Sequence, residues 1–274
     1  MPIYFSNPGQ FDIRLLSAFG VNVKPSASAI GQFGTGVKYA VAGVLRLGGT
    51  VTITSGHDEW TAHAKPTDFR GKTVDMCFLT DSDGNETPLP FATTLGSHWE
   101  PWMIYREFHC NALDEGGTMP TRDYPATADV VFRIACPPVE EILSRHSQYF
   151  TLGKPLATMH NVELFPGNGS FYYKGVFVCK PSKPTLYNYN FTSDLSLTED
   201  RTASEYNCRY ALSVAMTMGR EPSLLTQLLR APESTFEHDL NPGNGYAHSA
   251  TFMETAKDVA QRSRTLMTKT AKAW

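Results

Sequence analysis

The sequence predicts an α+β fold in which helices cover one face of a mixed sheet, followed by a second α/β domain. Three observations carry that expectation. A glycine-rich turn, Gly31-Gln32-Phe33-Gly34-Thr35-Gly36, runs directly into an Ala-, Val- and Leu-rich stretch over residues 37–47. Short strand-like runs with turn residues between them follow at 50–54, 59–64 and 72–79. A second long helical pattern spans 99–114 and stops before Gly116-Gly117. The expected division is a first domain over residues 1–137, a second over 138–232 and a C-terminal helical segment over 233–274.

Taken in order, residues 3–5 read as a short strand stopped by the turn Ser6-Asn7-Pro8-Gly9. Residues 11–19 have mixed apolar spacing suited to a helical turn, and 24–29 form a small polar loop. The helix over 37–47 is apolar enough to be buried, and Gly48-Gly49 ends it. The turn Asp81-Ser82-Asp83-Gly84 closes the third strand of the series. Residues 129–135 read as a strand and 139–145 as a short helix. In the second half, 171–179 reads as one strand, 202–218 and 222–229 as helices, and 250–272 as an amphipathic helix with a basic end.

Composition narrows the function classes. At 41% hydrophobic and 19% charged, the 274 residues suffice for a buried core without disulfide staples. A formal net charge of -3 gives no global pull toward nucleic acid. The five cysteines, Cys77, Cys110, Cys136, Cys179 and Cys208, include no CxxC pair, which argues against a zinc ribbon or thioredoxin-type site. The segment Met1-Pro2-Ile3-Tyr4-Phe5 lacks the basic-then-apolar order of a signal peptide, and no apolar run reaches the ~18 residues of a membrane span, so a cytoplasmic protein is expected.

The string Ile30 to Ala40, IGQFGTGVKYA, is the first with chemical content. Glycines ahead of a helix let backbone N–H groups approach a phosphate closely, and the helix N-terminus adds partial positive charge. Lys38 adds a full charge in the first turn. A Walker A loop needs Gly-Lys followed by Ser or Thr; here Val37 intervenes and Tyr39 follows. A dinucleotide fingerprint needs a third glycine where Tyr39 stands. The GxxGxG spacing of Gly31, Gly34 and Gly36 instead resembles the second glycine box of the GHKL ATPases (gyrase, heat-shock chaperone, histidine kinase, MutL). The wider string is similar to that box in the ninety-kilodalton heat-shock chaperone and the microrchidia ATPases. The stretch from Leu15 to Lys24 resembles the chaperone's lid entry, with Lys24 at its lysine position. TVTITSG, from Thr50 to Gly56, is similar to the strand after the box. FRGKTVDMCFL, from Phe69 to Leu79, resembles the strand carrying an adenine-contacting threonine, which makes Thr73 the matching residue.

In that family an acidic helix, E-x-x-x-N-A-x-D, precedes the glycine boxes. Here the pattern occurs after them, as Glu107-Phe108-His109-Cys110-Asn111-Ala112-Leu113-Asp114. Glu107 and Asn111 are four apart and Asp114 three further, so all three share one helix face. A carboxylate there can activate water for attack on a γ-phosphorus, and an amide oxygen four residues on can hold Mg²⁺. The reversed order suggests circular permutation: a hairpin cut between the strand at 129–135 and the strand at 3–5. The resemblance therefore implies a GHKL (Bergerat-type) sandwich in permuted order. It carries the first glycine box onto Ser6, Asn7 and Gly9, where the usual aspartate is missing. Neutral acceptors replace a charged one at the adenine amino group, which weakens that bond.

FYYKGVFV, from Phe171 to Val178, with YNYNF and LTEDRT after it, resembles the transducer region of such ATPases, and Lys174 is the candidate for reaching the γ-phosphate; a surface lysine on a hairpin explains the same residue. Glu199, Asp200 and Arg201 read as an ion-pair cluster, with Thr202 opening a helix. His109 faces away from Glu107 and reads as a packing residue, and Trp99, Trp102, Tyr105 and Phe108 read as core. The cations Lys257, Arg262, Arg264, Lys269 and Lys272 read as a solvated helix face before a nucleic-acid surface. The resemblance implies ATP and Mg²⁺ as ligands. It implies slow hydrolysis coupled to conformational change, catalysed through Glu107, with Asn111 on the metal. Asp114, Gln32, Phe33, Thr35, Val37 and Lys38 complete the nucleotide set. A homodimer is expected by analogy, with no membrane partner. The permuted order resembles ATP-binding proteins encoded by bacteriophages, which implies a host cytoplasm. Two rivals stay open: a nucleotide-binding switch or interaction protein without useful hydrolysis, and histidine-kinase-like phosphotransfer, for which no dimerising phospho-acceptor helix is evident.

Overall fold

The structure, a computed structural model, describes residues 1–18, 35–151, 153–242 and 247–272, with side chains described through residue 263. The chain divides into two compact units, Met1–His146 and Ser147–Trp274. It is mixed α and β, as expected, with one sheet in each unit. Among the described residues, no helix is long and apolar enough to cross a membrane.

The first unit holds β1 (Ile3–Asn7), β2 (Thr50–Ser55), β3 (Asp58–Phe69), β4 (Lys72–Asp81), β5 (Glu86–Ala92) and β6 (Val130–Ala135), in the spatial order β1-β6-β2-β3-β4-β5. Every neighbouring pair is antiparallel, so the expectation of a mixed sheet is corrected for this unit. The reason is connectivity: β2 to β5 follow one another through hairpins, and parallel pairing needs a crossover that this stretch lacks. Alternation along the strands chooses the buried face. Ile3, Ile134, Val51, Ala62 and Leu79 form one row across five strands, with Phe5, Phe132 and Ile53 in the next row of that face, and all are buried. A slip of one residue would turn each of them to the opposite face.

Two helices cover that face. The first, α1 (Gly36–Arg46), buries Ala40, Val41, Ala42 and Val44 and ends where Gly49 N donates to Val44 O at 2.9 Å. The chain then reverses into β2, so α1 lies antiparallel to that strand. Eleven residues at ~1.5 Å and six at ~3.3 Å give similar lengths, which brings Gly36 level with the Ser55 end of the sheet. The second, α2 (Pro101–Asp114), starts with proline, whose missing N–H costs nothing there. It packs beside α1 at Gly43, where an added Cβ would lie 2.5 Å from Ile104 Cδ1. Arg46, at the far end of α1, donates to the carbonyls of Thr93, Leu95 and Gly96 ahead of α2. The two helices therefore run in opposite directions. The short α3 (Pro137–Glu140) continues from β6 and packs on α2, and α4 (His146–Tyr149) follows a 3-10 turn at Glu141–Arg145.

The second unit has β7 (Ala157–Met159), β8 (Val162–Phe165), β9 (Phe171–Tyr173), β10 (Val176–Cys179) and β11 (Asn188–Phe191), in the order β10-β9-β11-β8-β7 with β9 and β11 parallel. The expected single strand over 171–179 is two strands. Lys174 (φ 49°) and Gly175 (φ 82°) form a tight turn between them, a left-handed geometry suited to hairpins. Asn190 Oδ1 holds that turn by accepting from Gly175 N at 2.7 Å. The helices α5 (Glu205–Thr217), α6 (Pro222–Leu229) and α7 (Ala250–Lys272) complete the unit. Phe171, Tyr189, Phe191, Leu212, Leu225 and Phe236 are among the residues of its core. The cap of α5 is Ser204, whose Oγ accepts from Asn207 N at 3.1 Å, and not Thr202, which pairs with Thr198 instead.

Candidate functional site

One end of the first sheet gathers three chain segments. The turn after β1 is pinned there by two bonds: Gly9 N donates to Asp129 Oδ2 and Phe11 N to Ser55 Oγ, each at 3.0 Å. The exit of α2 presses on the same place. A Cβ added to Gly117 would stand 2.2 Å from Ser6 O, and one added to Gly116 would stand 3.6 Å from Pro8 Cγ. Only glycine at 117 permits this approach of helix exit to strand end. The third segment is the start of α1, which the antiparallel course of that helix brings to the Ser55 end. Ser6, Asn7 and Gly9 and the exit of α2, the helix that carries Asn111 and Asp114, thus lie at the end of the sheet level with the start of α1. Gly31, Gln32, Phe33, Gly34 and Lys24 lie outside the described residues.

The residues of α2 differ in exposure. Glu107 is fully buried, whereas Asn111 and Asp114 are half-buried. Glu107 Oε1 receives Arg106 Nη2 at 3.2 Å, and both side chains are out of solvent. The Arg106 guanidinium in turn lies over the rings of Trp102 (5.1 Å) and Trp99 (5.7 Å). Asn111 Nδ2 donates to Glu107 O at 2.6 Å, so the donor half of the amide is held by the helix backbone. Its orientation is thereby fixed, with Oδ1 as the hard oxygen of the pair. Arg106 was missed in the sequence; the signal was a cation directly before Glu107 with a tryptophan, Trp102, four residues earlier on its own helix face.

Thr35 caps α1 without a side-chain hydrogen bond, and no acidic residue occupies the first turn. Lys38 in that turn is buried, and desolvation holds its amine below the ordinary lysine range. A cation at a helix N-terminus also opposes the macrodipole.

On the opposite side of α2, His109 is buried against Phe5, Tyr105 and His146, with the two imidazole centroids 5.0 Å apart. Tyr105 Oη bonds His146 Nδ1 at 2.9 Å. Burial, aided by His146, pushes the His109 pKa down to about 3. The packing role expected for His109 is what its surroundings give it, and Trp99, Trp102, Tyr105 and Phe108 are buried as expected of core.

Thr73 does not join the cluster. Ser6 aligns through Val131 and Thr54 with Glu59 on β3, whereas Thr73 pairs with Asp68, nine residues further along, or ~30 Å. Thr73 is exposed near the tip of the β3–β4 hairpin, its hydroxyl donating to Asp68 Oδ1 at 2.6 Å. Its expected adenine contact is therefore corrected: strand likeness set its position, and register moves it to the far end of the sheet. Lys174 belongs to the second unit, at the β9–β10 turn, with Nζ 5.5 Å from the Tyr173 ring centroid.

Among the described residues, no group of three His, Cys, Asp or Glu side chains gathers as a metal site. A Mg²⁺ bridging phosphates asks less of the protein, one or two oxygen ligands with waters and phosphates making up the rest, and Asn111 Oδ1 has the right chemistry. In comparisons with family models, curated proteins and solved structures, nothing matches the chain.

Proposed function

We propose that the first unit binds ATP with Mg²⁺ in the manner of a permuted GHKL ATPase and hydrolyses it slowly to ADP and phosphate. The observation that carries this reading is the convergence, at one end of one sheet, of the turn after β1, the last turns of α2 and the opening of α1. These are the three segments that the resemblance assigns to adenine, metal and phosphate. The antiparallel β1–β6 pair further supports it, since residues 3–5 and 129–135 are the two strands of the hairpin that the permutation would cut.

On this reading the amides opening α1 and the Lys38 ammonium hold phosphate, Asn111 Oδ1 holds the metal, and Glu107 orients the attacking water. Ser6 or Asn7 accepts from the adenine amino group. The bound cation supplies charge neutralisation at the phosphates. Glu107→Ala is expected to lower phosphate release at least ~100-fold while leaving binding of a non-hydrolysable ATP analogue, measured by calorimetry, within a few-fold. Unchanged turnover in that variant removes Glu107 from its role, and no heat with analogue and Mg²⁺ removes the whole reading.

The switch without useful hydrolysis is favoured by one observation. Glu107 is fully buried and its Oε1 is engaged by Arg106, so its carboxylate is less available to water than that of a surface acid. Analogue binding by the wild type together with no phosphate release would select that alternative.

A further inference from the structure

We propose that Asn7 and Phe11 are the base-recognition pair of the first unit: the base stacks on the Phe11 ring while Asn7 Oδ1 accepts from its amino group, which selects adenine over guanine. This pairing rests on the nucleotide reading of the unit and adds to it the residues that choose the base. Strand alternation separates the two acceptors offered by the turn after β1. Asn7, Val130 and Ser55 form the last row of the face that α1 and α2 cover, next to the row of Phe5, Phe132 and Ile53. Ser6 falls in the row of Val131 and Thr54, on the opposite face. Asn7 is therefore the acceptor on the helix side. Its Nδ2 donates to Pro8 O at 2.9 Å, which commits the donor half of the amide to the backbone and leaves Oδ1 as the acceptor.

Phe11 is brought to the same two rows. Its N–H donates to Ser55 Oγ at 3.0 Å, and its ring meets that of Phe132 edge to face, with centroids 5.1 Å apart and planes at 82°. Phe132 in turn meets Phe108 of α2 at 5.7 Å, so Phe11 lies on the helix side of the sheet. The chain fixes Phe11 from both directions. Before it, Gly9 N is held by Asp129 Oδ2. After it comes the 3-10 turn Ile13–Leu16, capped by Asp12 and closed by the buried Leu16. Phe5, Phe108 and Phe132 are buried, whereas Phe11 is half-buried. A ring held in place with part of its surface open to solvent suits base stacking, because little side-chain freedom is lost on binding and apolar area is covered. The start of α1, read as the phosphate segment, is level with this end of the sheet, so base and phosphates fall to one ligand.

The chemistry of the purines makes Asn7 the selective member. Adenine presents an amino group, a donor to Oδ1. Guanine carries a carbonyl at that ring position, so two acceptors would face each other. Turning the amide to offer Nδ2 would break its bond to Pro8 O. Stacking tolerates either base, so Phe11 supplies affinity and Asn7 the choice.

The test is calorimetry on the full chain with Mg²⁺ and three probes: non-hydrolysable analogues of ATP and GTP, and inorganic tripolyphosphate, which has no base. The wild type should bind the ATP analogue at least ~tenfold more tightly than either of the others. Phe11→Leu keeps an apolar side chain without the ring. It should weaken the ATP analogue roughly tenfold and leave tripolyphosphate unchanged, and Phe11→Tyr should stay within a few-fold of the wild type. Asn7→Ala should close the gap between the ATP and GTP analogues, and Ser6→Ala should keep it. The proposal is overturned if the wild type binds the ATP analogue no more tightly than tripolyphosphate, or the GTP analogue equally well. A Phe11→Leu variant that weakens all three probes alike assigns the ring to packing and overturns it too. Phosphate binding survives each of these results, whereas a wild type that binds none of the probes removes the nucleotide reading itself. Melting curves without ligand show whether each variant is folded, and the wild-type comparison stands even where one is not.

Discussion

Two side chains set measurable behaviour at the smallest scale. His109 has its pKa at about 3 in the fold, against an ordinary value near 6.5 when exposed. At pH 7 both states leave it neutral. As pH falls below ~6.5 the unfolded chain takes a proton that the buried ring refuses until about 3, so stability drops through that window by a few kcal/mol. His146, its pKa also lowered by burial, adds in the same direction. In urea unfolding at pH 7 and pH 4, His109→Leu should lose at least ~1 kcal/mol less between the two than the wild type. An equal loss would assign the acid sensitivity elsewhere. Lys38 tests ligand against stability. Lys38→Met removes a desolvated amine yet keeps the length of the side chain. The upward shift in its melting point given by an ATP analogue should be at least halved relative to the wild type. A variant that keeps the full shift would take Lys38 out of phosphate binding. The packing side of α2 was legible here from helix periodicity. The ion pair of Arg106 with Glu107 was not, because neighbours in sequence usually diverge on a helix, and the guanidinium that makes it also lies over the rings of Trp99 and Trp102.

At the scale of elements, the contact of α1 with α2 rests on the missing side chain at Gly43. Alanine there gains up to ~1 kcal/mol of helix propensity but drives its Cβ into Ile104, and overpacking of this kind costs ~1–3 kcal/mol. Gly43→Ala is therefore expected to destabilise by about 1 kcal/mol in denaturant titration, and by less when Ile104→Val removes the Cδ1 methyl group. Additive effects in that double-mutant cycle would mean the helices adjust apart at no cost. Both helices were readable in advance from apolar spacing and the glycine pairs after each, although the second, expected from residue 99, starts at Pro101. The edge strand β5 was not. Pro88 and Pro90 argue against a strand, and only an edge position tolerates them. The full length of β3 escaped for a related reason. Beyond Ala62 it leaves its partner β2, toward its tip β4 also parts from β5 to leave a two-stranded ribbon, and the apolar and polar residues no longer alternate.

For the molecule as a whole, the division after His146 is the organising fact. The sheet of residues 3–135 and both its covering helices lie ahead of that point, so a fragment of residues 1–146 should fold cooperatively and keep the nucleotide-induced melting shift. A fragment without a sigmoidal melt would show that the first unit depends on the second. What the sequence could not convey at this scale was register. Thr73 lies on β4 as the strand pattern suggested, yet pairing offsets along β3 carry it to the end of the sheet away from Ser6, and offsets of that kind are set by turns and packing far from the residue itself. The pairing of β1 with β6 has a kinetic consequence as well. Ile3 and Phe5 emerge from the ribosome more than ~120 residues ahead of Ile134 and Phe132, so during synthesis an apolar strand waits without its mate. Such a delay exposes the nascent chain to aggregation and makes yield in a cell sensitive to trigger-type chaperones that shelter early hydrophobic segments.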